Sequence, residues 1–435
     1  MVTVERTTRR AMLRFLGLAG LSAVAGTGLL TACQPSPQPS PVAKADPSKP
    51  AAAAPAGSPV AAASPAAAAP APATAGGAAE DMSLKIGYLP ITDATPLLLA
   101  HANDLYKAEG LEAPKPTLFR GWSQLAEAFQ AKQVDVAHIL MPTAVWMRFG
   151  QNFPVKMVAW NHTDGSAFTV GNSINNLEDL AGQTVAIPFW YSIHNAVLQL
   201  LFRKGGLTAV TKGDASKAEK TVKLVVMAPA DMPPALAQNQ IAGYIVADPF
   251  NAAAEVNNVG KIFRFTGDVW LNHACCVVIM HEEDTVKRPR WAQGVVNAVA
   301  KAQVFARENR AQAARLLTKE GGDYLPQPLP VVERALTHFD RTAYGASKAI
   351  MHPDWQNNRI DFQPFPYPTY TEELVKLLKE TTFEGDDAFL KTLDPTSAHA
   401  ALVEDKFARA AITAAGGAAK FGIDPSLARI ERIEA

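Results

Sequence analysis

The chain has 435 residues, and its 41 basic and 41 acidic side chains give a formal net charge of zero at pH 7. Beyond residue 82 there remain 35 basic and 37 acidic residues without any lysine- or arginine-rich stripe, so we expect no nucleic-acid partner. The roughly 350 residues of that part suffice for two lobes with buried cores.

Residues 1–32 have the pattern of a signal peptide. Arg9 and Arg10 belong to a basic start, and an apolar run over residues 15–30 follows it. A membrane-spanning helix needs about 20 apolar residues, so this shorter, glycine-diluted run favours a cleaved export signal. Residues 8–13, T-R-R-A-M-L, resemble the twin-arginine signal, and a chance pair of arginines in a basic segment is the alternative.

Cys33 ends this segment in the sequence L-T-A-C, which resembles the lipobox of bacterial lipoproteins. We therefore expect Cys33 to be lipidated and to become the N-terminus, rather than to be a stray cysteine. Residues 33–82 are predicted to be a tether. The stretch from residue 34 to 79 holds 11 of the 32 prolines and no aromatic residue whose burial could offset the ordering entropy.

Strand-like and helix-like segments alternate beyond the tether. The predicted strands cover residues 84–89, 134–139, 155–160, 184–187, 222–226, 241–247 and 274–280. The predicted helices cover residues 94–106, 175–182, 192–204 and 290–318. This alternation predicts an α/β fold of two lobes, each a mainly parallel sheet flanked by helices. We place the first lobe at residues 83–172 and 274–375, the second at 173–273, and a helical extension at 376–435.

Ligands of open α/β sheets bind beyond the carboxyl ends of the strands. Asp93 and Thr95 follow the first predicted strand, where either can cap the next helix or help to hold a polar ligand group at its start. Ser192 is a predicted N-cap within residues 188–194, and Tyr191 and His194 beside it are candidates for ligand contact.

Trp122 and Ser123 lie between a strand end and a helix, and Asp248 follows the buried run of residues 241–247. A carboxylate at a strand end is costly to bury unpaired. We therefore expect Asp248 to accept a hydrogen bond from a ligand or to form a salt bridge across the lobes. The adjacent residues Cys275 and Cys276 are predicted to be buried in a strand.

We predict no metal site and no cofactor. The scattered residues His138, His162, His194 and His273 lack the close spacing that is typical of zinc sites. The chain also lacks a G-x-S-x-G elbow, a C-x-x-C pair and a phosphate-binding glycine loop. We therefore expect neither enzyme activity nor a catalytic residue.

Several stretches resemble the substrate-binding proteins of nitrate, sulfonate, taurine and bicarbonate ABC importers, an SsuA/THI5-like and NMT1-like family. They lie at residues 86–97, 106–111, 136–142, 177–182 and 204–207, and the likeness spans about residues 84–315. The resemblance implies the periplasmic-binding-protein type 2 fold, in which two lobes close on a ligand by a hinge motion.

In the nitrate- and bicarbonate-type members, a Trp, a polar residue, a His and an acidic residue surround the anion. The resemblance assigns these places to Trp122, Ser166, His194 and Asp248. Those members also carry a lysine near the return strand, where this chain reads W-L-N-H-A at residues 270–274. Without that charge we expect a small polar or heteroaromatic solute, held partly by stacking on aromatic rings, rather than a bare anion.

The resemblance thus implies an exported substrate-binding lipoprotein, monomeric and anchored by Cys33 to the outer face of the cytoplasmic membrane. Its partners would be a small-molecule ligand and the permease and ATPase of an ABC importer. Two other classes remain open. One is a THI5-like pyrimidine-synthesis enzyme, against which the export signal counts, and the other is a ligand-sensing lipoprotein without an importer.

Overall fold

The computed structural model describes residues 80–355 and 358–435. The predicted signal peptide, the twin arginines and the lipidated Cys33 lie outside these residues, as does the tether up to residue 79. Residues 80–82, which we assigned to the tether, already contact the folded part. The carboxylate of Glu80 accepts a hydrogen bond of 2.9 Å from the backbone N–H of Trp291.

The strands of the described residues are short; seven of the thirteen overlap predicted segments, and the other six were not predicted. They are β1 (Ile86–Tyr88), β2 (Thr117–Leu118), β3 (Val136–Leu140), β4 (Val155–Trp160), β5 (Thr163–Asp164), β6 (Ser166–Val170), β7 (Thr184–Ile187), β8 (Thr208–Val210), β9 (Thr221–Val226), β10 (Gly243–Ala247), β11 (Lys261–Phe265), β12 (Cys276–His281) and β13 (Ile360–Asp361).

These strands form two main sheets, one in each lobe. The first lobe has the order β2-β1-β3-β12-β4, and the second lobe has the order β11-β6-β10-β7-β9-β8. Among the described strands, β12 alone runs against its neighbours in the first sheet and β6 alone does so in the second. Each of these strands directly follows a passage of the chain from one sheet to the other. Two mainly parallel sheets joined by crossing segments confirm the predicted fold class.

A small antiparallel pair lies at the crossing between the lobes. Strand β5 pairs with β13, so that Asp164 faces Ile360 and Thr163 faces Asp361. Gly165 follows β5 with a φ of +82°, and a Cβ there would lie 2.8 Å from the side chain of Ile360. Glycine therefore suits this position for two reasons, its left-handed backbone and the close approach of the neighbouring strand. We call β5, Gly165 and β13 the hinge pair.

Helices cover both sheets and continue to the C-terminus. They are α1 (Thr95–Ala102), α2 (Leu105–Ala108), α3 (Trp122–Gln130), α4 (Met141–Val145), α5 (Ile193–Lys204), α6 (Met232–Ala237), α7 (Phe250–Val256), α8 (Thr266–Val269), α9 (Glu282–Lys287), α10 (Pro289–Glu308), α11 (Arg310–Leu317), α12 (Leu329–Thr337), α13 (Arg341–Ala346), α14 (Pro368–Lys379), α15 (Ala388–Thr392), α16 (Pro395–Leu402) and α17 (Lys406–Ala414), with 3-10 turns at Thr92–Ala94, Leu177–Leu180, Pro229–Asp231 and Ala418–Phe421 and a π-helical turn at Trp146–Gly150.

Two predicted helices are interrupted, and the residues at the breaks explain why. The segment at residues 94–106 divides into α1 and α2 at Asp104, whose φ of 54° is left-handed. The segment at residues 290–318 divides into α10 and α11 at Asn309, which has non-helical backbone angles. Asp and Asn tolerate such conformations better than most residues because their short side chains form local hydrogen bonds.

The lobe boundaries differ from the predicted ones in two places. Strand β6, which we assigned to the first lobe, pairs with β10 and β11 in the second. The return segment at residues 274–375 also does not stay with the first lobe. Within it, α12 packs on α7, and the ring of Tyr344 lies 4.8 Å from that of Phe265 in β11. The chain therefore packs against the second lobe again before its last helices pack against the first.

The segment at residues 376–435 does not form a separate extension. Helix α14 already begins at Pro368, and α17 packs on α10 of the first lobe. The guanidinium of Arg429 lies 4.9 Å above the ring of Trp160. None of the helices in the described ranges is both long and apolar enough to cross a membrane.

Candidate functional site

Loops that follow the strands of the two sheets meet between the lobes. The backbone N–H of Thr92, after β1, donates a 2.8 Å hydrogen bond to the carbonyl oxygen of Asp248, after β10. The hydroxyl of Thr143, after β3, donates a 2.7 Å bond to the carbonyl oxygen of Tyr191, after β7. These contacts bring together the carboxyl ends of parallel strands from both lobes, which is where a ligand is expected.

A continuous series of polar contacts crosses this interface. His162 Nε2 lies 2.9 Å from Asp93 Oδ2 and 3.1 Å from the backbone nitrogen of Cys276. The Sγ atoms of Cys276 and Cys275 lie 3.7 Å apart. His194 Nε2 is 3.8 Å from Cys275 Sγ. The same ring nitrogen lies 2.9 Å from the hydroxyl of Ser166. We call this set the cleft cluster: Asp93, His162, Ser166, His194, Cys275 and Cys276.

The cleft cluster draws on both lobes and on the crossing segments between them. Asp93 lies in the turn after β1, and Cys276 begins β12 of the first lobe. Ser166 begins β6 and His194 lies in the first turn of α5, both in the second lobe. All six side chains are buried. A change in the angle between the lobes would therefore alter the contacts of this cluster directly.

Asp93 and His162 form a buried pair of opposite charge. Burial by itself lowers the pKa of His162, but the adjacent carboxylate of Asp93 outweighs it and raises this pKa to about 10. Burial raises the pKa of Asp93, and the positive charge of His162 opposes that rise. Each of the two groups thus favours the charged form of the other inside the core.

Polar atoms without partners surround this pair. Within the described residues, buried atoms that lack a hydrogen-bond partner include Asp93 Oδ1, His162 Nδ1, His194 Nδ1 and both ring nitrogens of His138 and His273. Burial lowers the pKa of His138 and of His273 to about 3, so both rings are neutral at pH 7. Each buried polar atom that stays unpaired costs about 1–3 kcal/mol, so this arrangement is unfavourable unless a ligand supplies the missing partners.

The family follows from a match over more than half of the chain. A model of the NMT1-like family matches residues 77–318. The chain belongs to the NMT1-like family. The match includes every residue of the cleft cluster and both main sheets, and it ends at Thr318, directly after α11. The resemblance to this family that the sequence indicated is confirmed.

Related NMT1-like sequences have names from nitrate transport. The chain is 24% identical over 284 residues to a nitrate/nitrite binding protein, NrtA, of Nostoc, a match that covers 60% of this chain and 62% of the relative. It is 26% identical over 266 residues to a nitrate import ATP-binding protein, NrtC, of Synechocystis, with 58% and 38% covered. The chain thus spans less than two thirds of the length of these relatives.

Solved structures support the same fold for this NMT1-like chain. The periplasmic nitrate-binding protein NrtA of Synechocystis superposes with a TM-score of 0.63 at 17% identity, covering 80% of this chain and 92% of that chain. A zinc-bound ligand-binding component of an ABC-type import system from Staphylococcus aureus gives a TM-score of 0.59 at 22% identity, covering 76% and 99%. At these identities the similarity concerns the fold alone.

Several of the predicted site residues do meet in this NMT1-like fold. Ser166 and His194, which the resemblance assigned to one site, are hydrogen-bonded in the cleft cluster, and Asp93 lies at its other end. Ser192 caps α5, since its side chain accepts a 3.0 Å bond from the backbone N–H of Asn195. Thr95 donates to the carbonyl oxygen of Thr92 at 2.6 Å. Neither Asp93 nor Thr95 caps α1 with its side chain.

The aromatic candidates divide between cleft and core. Trp122 is buried with its ring 6.0 Å from that of His138 and with an unpaired Nε1, whereas Ser123 is exposed. Tyr191 stacks between other rings, 5.4 Å from Trp146 and 4.6 Å from Phe383. Its hydroxyl donates a bond of 2.7 Å to the carbonyl oxygen of Asp386, so this hydroxyl is already engaged.

Asp248 forms the salt bridge that we gave as one alternative. Its carboxylate accepts two hydrogen bonds from the guanidinium of Arg359, one of them 3.0 Å long, and a third from the backbone N–H of Ala252. Arg359 also donates to Glu255 at 2.7 Å. Glu255 further accepts bonds from Arg334 and from the hydroxyl of Tyr344. We call this set the arginine network: Asp248, Glu255, Arg334, Tyr344 and Arg359.

Three residues of the cleft cluster were not among the predicted site residues. His162 lies in a loop after β4 that the strand-end rule had selected, but nothing in the sequence distinguished it from the other histidines. Cys275 and Cys276 are buried, as predicted, and both are free thiols. The one sequence feature that could have pointed to this site is the pair of adjacent cysteines just after a lobe crossing. In the structure, this pair lies next to Asp93, which is far away in sequence.

Proposed function

We propose that the chain is the substrate-binding component of an ABC importer and holds a small solute between its two lobes. The observation that carries this proposal is the set of unpaired, buried polar atoms around the cleft cluster, to which both lobes contribute. Membership of the NMT1-like family supports it, as do the names of the nitrate-binding and nitrate-import relatives. We propose that the protein binds its solute without transforming it.

The solute that suits this cleft is small and polar, with both donor and acceptor atoms. Neutral His138 and His273 each offer one donor and one acceptor, and Trp122 Nε1 offers a donor. The carboxylate of Asp93 lies next to His162, which disfavours a bare anion as the solute. We propose Asp93, Trp122, Ser166 and His194 as contacts of a heteroaromatic or similarly polar molecule.

We further propose that the mature protein is a monomeric lipoprotein attached through Cys33. A tethered binding protein on the outer face of the cytoplasmic membrane is placed to deliver its solute to a permease and ATPase. Loss of membrane association in a Cys33→Ala variant, tested by fractionation, would support the anchor. Uptake of the identified solute should then depend on Cys33.

The test of solute binding begins with identification of the ligand. Mass spectrometry of small molecules released from the purified protein names candidates, and calorimetric titration compares them with nitrate, bicarbonate, taurine and a methylpyrimidine. We expect His194→Ala to abolish the thermal stabilisation that the solute produces. Ser123→Ala changes a predicted but exposed residue and should leave that stabilisation unchanged. Binding of inorganic anions alone, or an unchanged shift in His194→Ala, would contradict the proposal.

A further inference from the structure

Four metal-ligating side chains converge at the first-lobe end of the cleft cluster. One candidate ligand atom from each lies within 4.8 Å of all the others, and every one of these residues is fully buried. The four residues are Asp93, His162, Cys275 and Cys276. They come from three separate parts of the chain: the turn after β1, the segment between β4 and β5, and the start of β12. The fold therefore assembles the set, because no sequence motif contains it.

The spacing of these atoms matches four-coordinate binding of a transition metal. Two thiolates at about 2.3 Å from a tetrahedral zinc ion lie roughly 3.8 Å from each other. The Sγ atoms of Cys275 and Cys276 are 3.7 Å apart, which is also too long for a disulfide. Cys276 Sγ lies 3.6 Å from Asp93 Oδ2, and His162 Nε2 lies 2.9 Å from the same oxygen. These separations are compatible with one ion among the four ligand atoms.

Hydrogen bonding alone does not satisfy the same groups. His162 Nε2 faces both the carboxylate of Asp93 and the backbone N–H of Cys276. One ring nitrogen cannot donate to the carboxylate and accept from the N–H at the same time. Asp93 Oδ1, a second oxygen available to an ion, has no partner within the described residues. A purely structural polar cluster in a core is normally paired throughout, and this one is not.

We propose that Asp93, His162, Cys275 and Cys276 bind one divalent transition-metal ion of the zinc type. Two sulfurs, one imidazole nitrogen and one carboxylate oxygen form a donor set suited to zinc or cobalt. Magnesium and calcium prefer oxygen ligands throughout. The inference goes beyond solute import, because the ion site needs neither the solute nor the permease. His194 of the second lobe, 3.8 Å from Cys275 Sγ, contacts one ligand atom from outside the set.

Metal titration of the full chain tests this inference. A Cys33→Ser background leaves Cys275 and Cys276 as the remaining cysteines. After chelation and dialysis, we expect one equivalent of Zn²⁺ to bind and to remain through gel filtration. Bound Co²⁺ should give a sulfur-to-cobalt charge-transfer band. Loss of a residue that only hydrogen-bonds to a metal ligand costs about 10–100-fold in affinity. Loss of a ligand itself should cost more, so Cys275→Ser and Cys276→Ser should each weaken Zn²⁺ binding more than 100-fold. Both variants should also lose that band.

A matched control lies nearer the surface, where the side chain of His352 is 26% exposed. His352 is 3.4 Å from both Asp268 and Glu434, so it belongs to another histidine–carboxylate group that could take up zinc adventitiously. His352→Ala should leave the stoichiometry and the cobalt spectrum unchanged. Zinc that persists in both cysteine variants, or that disappears with His352→Ala, would overturn the inference.

Folding and solute binding are separated from metal binding in the same experiment. Circular dichroism checks each variant, and Asp93→Asn provides a further ligand change if a cysteine variant fails to fold. Calorimetry of the released solute is carried out on chelated and on zinc-loaded protein. Solute binding without zinc binding would refute the metal site and leave the proposed function intact. Zinc binding by a protein that binds no solute would support the metal site and refute the proposed function.

Discussion

Two buried polar regions meet the lobe interface, and they are built in opposite ways. In the arginine network, Arg359 is 1% exposed and donates to the carboxylates of both Asp248 and Glu255, which accept further bonds from their neighbours. In and around the cleft cluster, by contrast, several ring nitrogens and one carboxylate oxygen have no partner among the described residues. Asp248, for which the sequence left a ligand contact and a salt bridge open, belongs to the paired region.

The difference separates a structural role from a binding role. A buried charge that is fully paired holds elements together, and here it fixes β10 and α7 of the second lobe to the segment beside the hinge pair. Unpaired polar atoms in a buried site cost free energy until a bound group pairs with them, which is the role proposed for the atoms around the cleft cluster. Mutations should therefore have opposite effects on stability in the two regions.

Arg359→Met is expected to have the largest effect. It removes the guanidinium and leaves the buried carboxylates of Asp248 and Glu255 without their main partner, which should lower the free energy of unfolding by about 3–5 kcal/mol. Urea unfolding measures the loss. Arg432→Met is the control, because Arg432 pairs with Asp354 where both side chains are more than half exposed, and it should cost less than about 1 kcal/mol. Equal losses in the two variants would contradict a structural role for the network.

The loss of stability at acidic pH should depend on Glu255. Burial raises its pKa, but Arg359 and the hydrogen bonds from Arg334, Arg359 and Tyr344 outweigh this and lower it from 4.5 to about 2. A lowered carboxyl pKa gives stability that is present above pH 4.5 and is lost as the pH falls towards 2. This contribution amounts to at most about 3 kcal/mol.

Unfolding curves between pH 6 and pH 3 measure this contribution. The difference in stability between the wild type and Glu255→Gln should stay nearly constant down to about pH 4.5 and should shrink as the pH falls further. Glu384→Gln, at an exposed position, should follow the wild-type curve at every pH. A difference between wild type and Glu255→Gln that stays constant with pH would argue against the ionised state of Glu255 as the source.

His138→Leu should change stability in the opposite direction and raise the free energy of unfolding. Both ring nitrogens of His138 are buried without partners, so an apolar side chain of similar size should stabilise the solute-free protein by about 1–2 kcal/mol. Solute affinity should fall in the same variant. The contrasting change is His101→Leu, which removes a ring whose Nδ1 lies 2.7 Å from the hydroxyl of Tyr324 and should destabilise. Destabilisation by His138→Leu with unchanged solute binding would remove this ring from the site.

The sequence was sufficient for the fold class and for one part of the cleft. Strand and helix patterns located β4, β7 and α5 almost to the residue, because period and capping are local properties. Asp93, Ser166 and His194 lie in one cluster; the strand-end rule pointed to Asp93 and His194, and the family resemblance pointed to Ser166. The partners of Asp248 could not be foreseen, because Arg359 is far away in sequence and reaches it only after the chain has returned to the second lobe.

The convergence of His162 with the two cysteines was missed for a related reason. Metal-site patterns in sequence depend on close spacing along one helix or loop, and here the ligands come from different crossing segments. The lobe boundary was placed after β6 because a strand at a crossing looks the same in sequence whichever sheet it joins. Only the pairing of β6 with β10 and β11 decides the question.

The smallest effect is expected for Thr143→Val, which tests the contact between the lobes. The change preserves the shape of the side chain and removes the bond to the carbonyl oxygen of Tyr191, so the closed arrangement should lose about 1 kcal/mol. Amides at the start of α5 should then exchange with solvent several-fold faster. Thr337→Val removes a bond of equal length, 2.7 Å, at an exposed position of α12 and should leave those amides unchanged. If exchange at α5 is insensitive to Thr143, the lobes are held by the arginine network and the aromatic stack around Tyr191 instead.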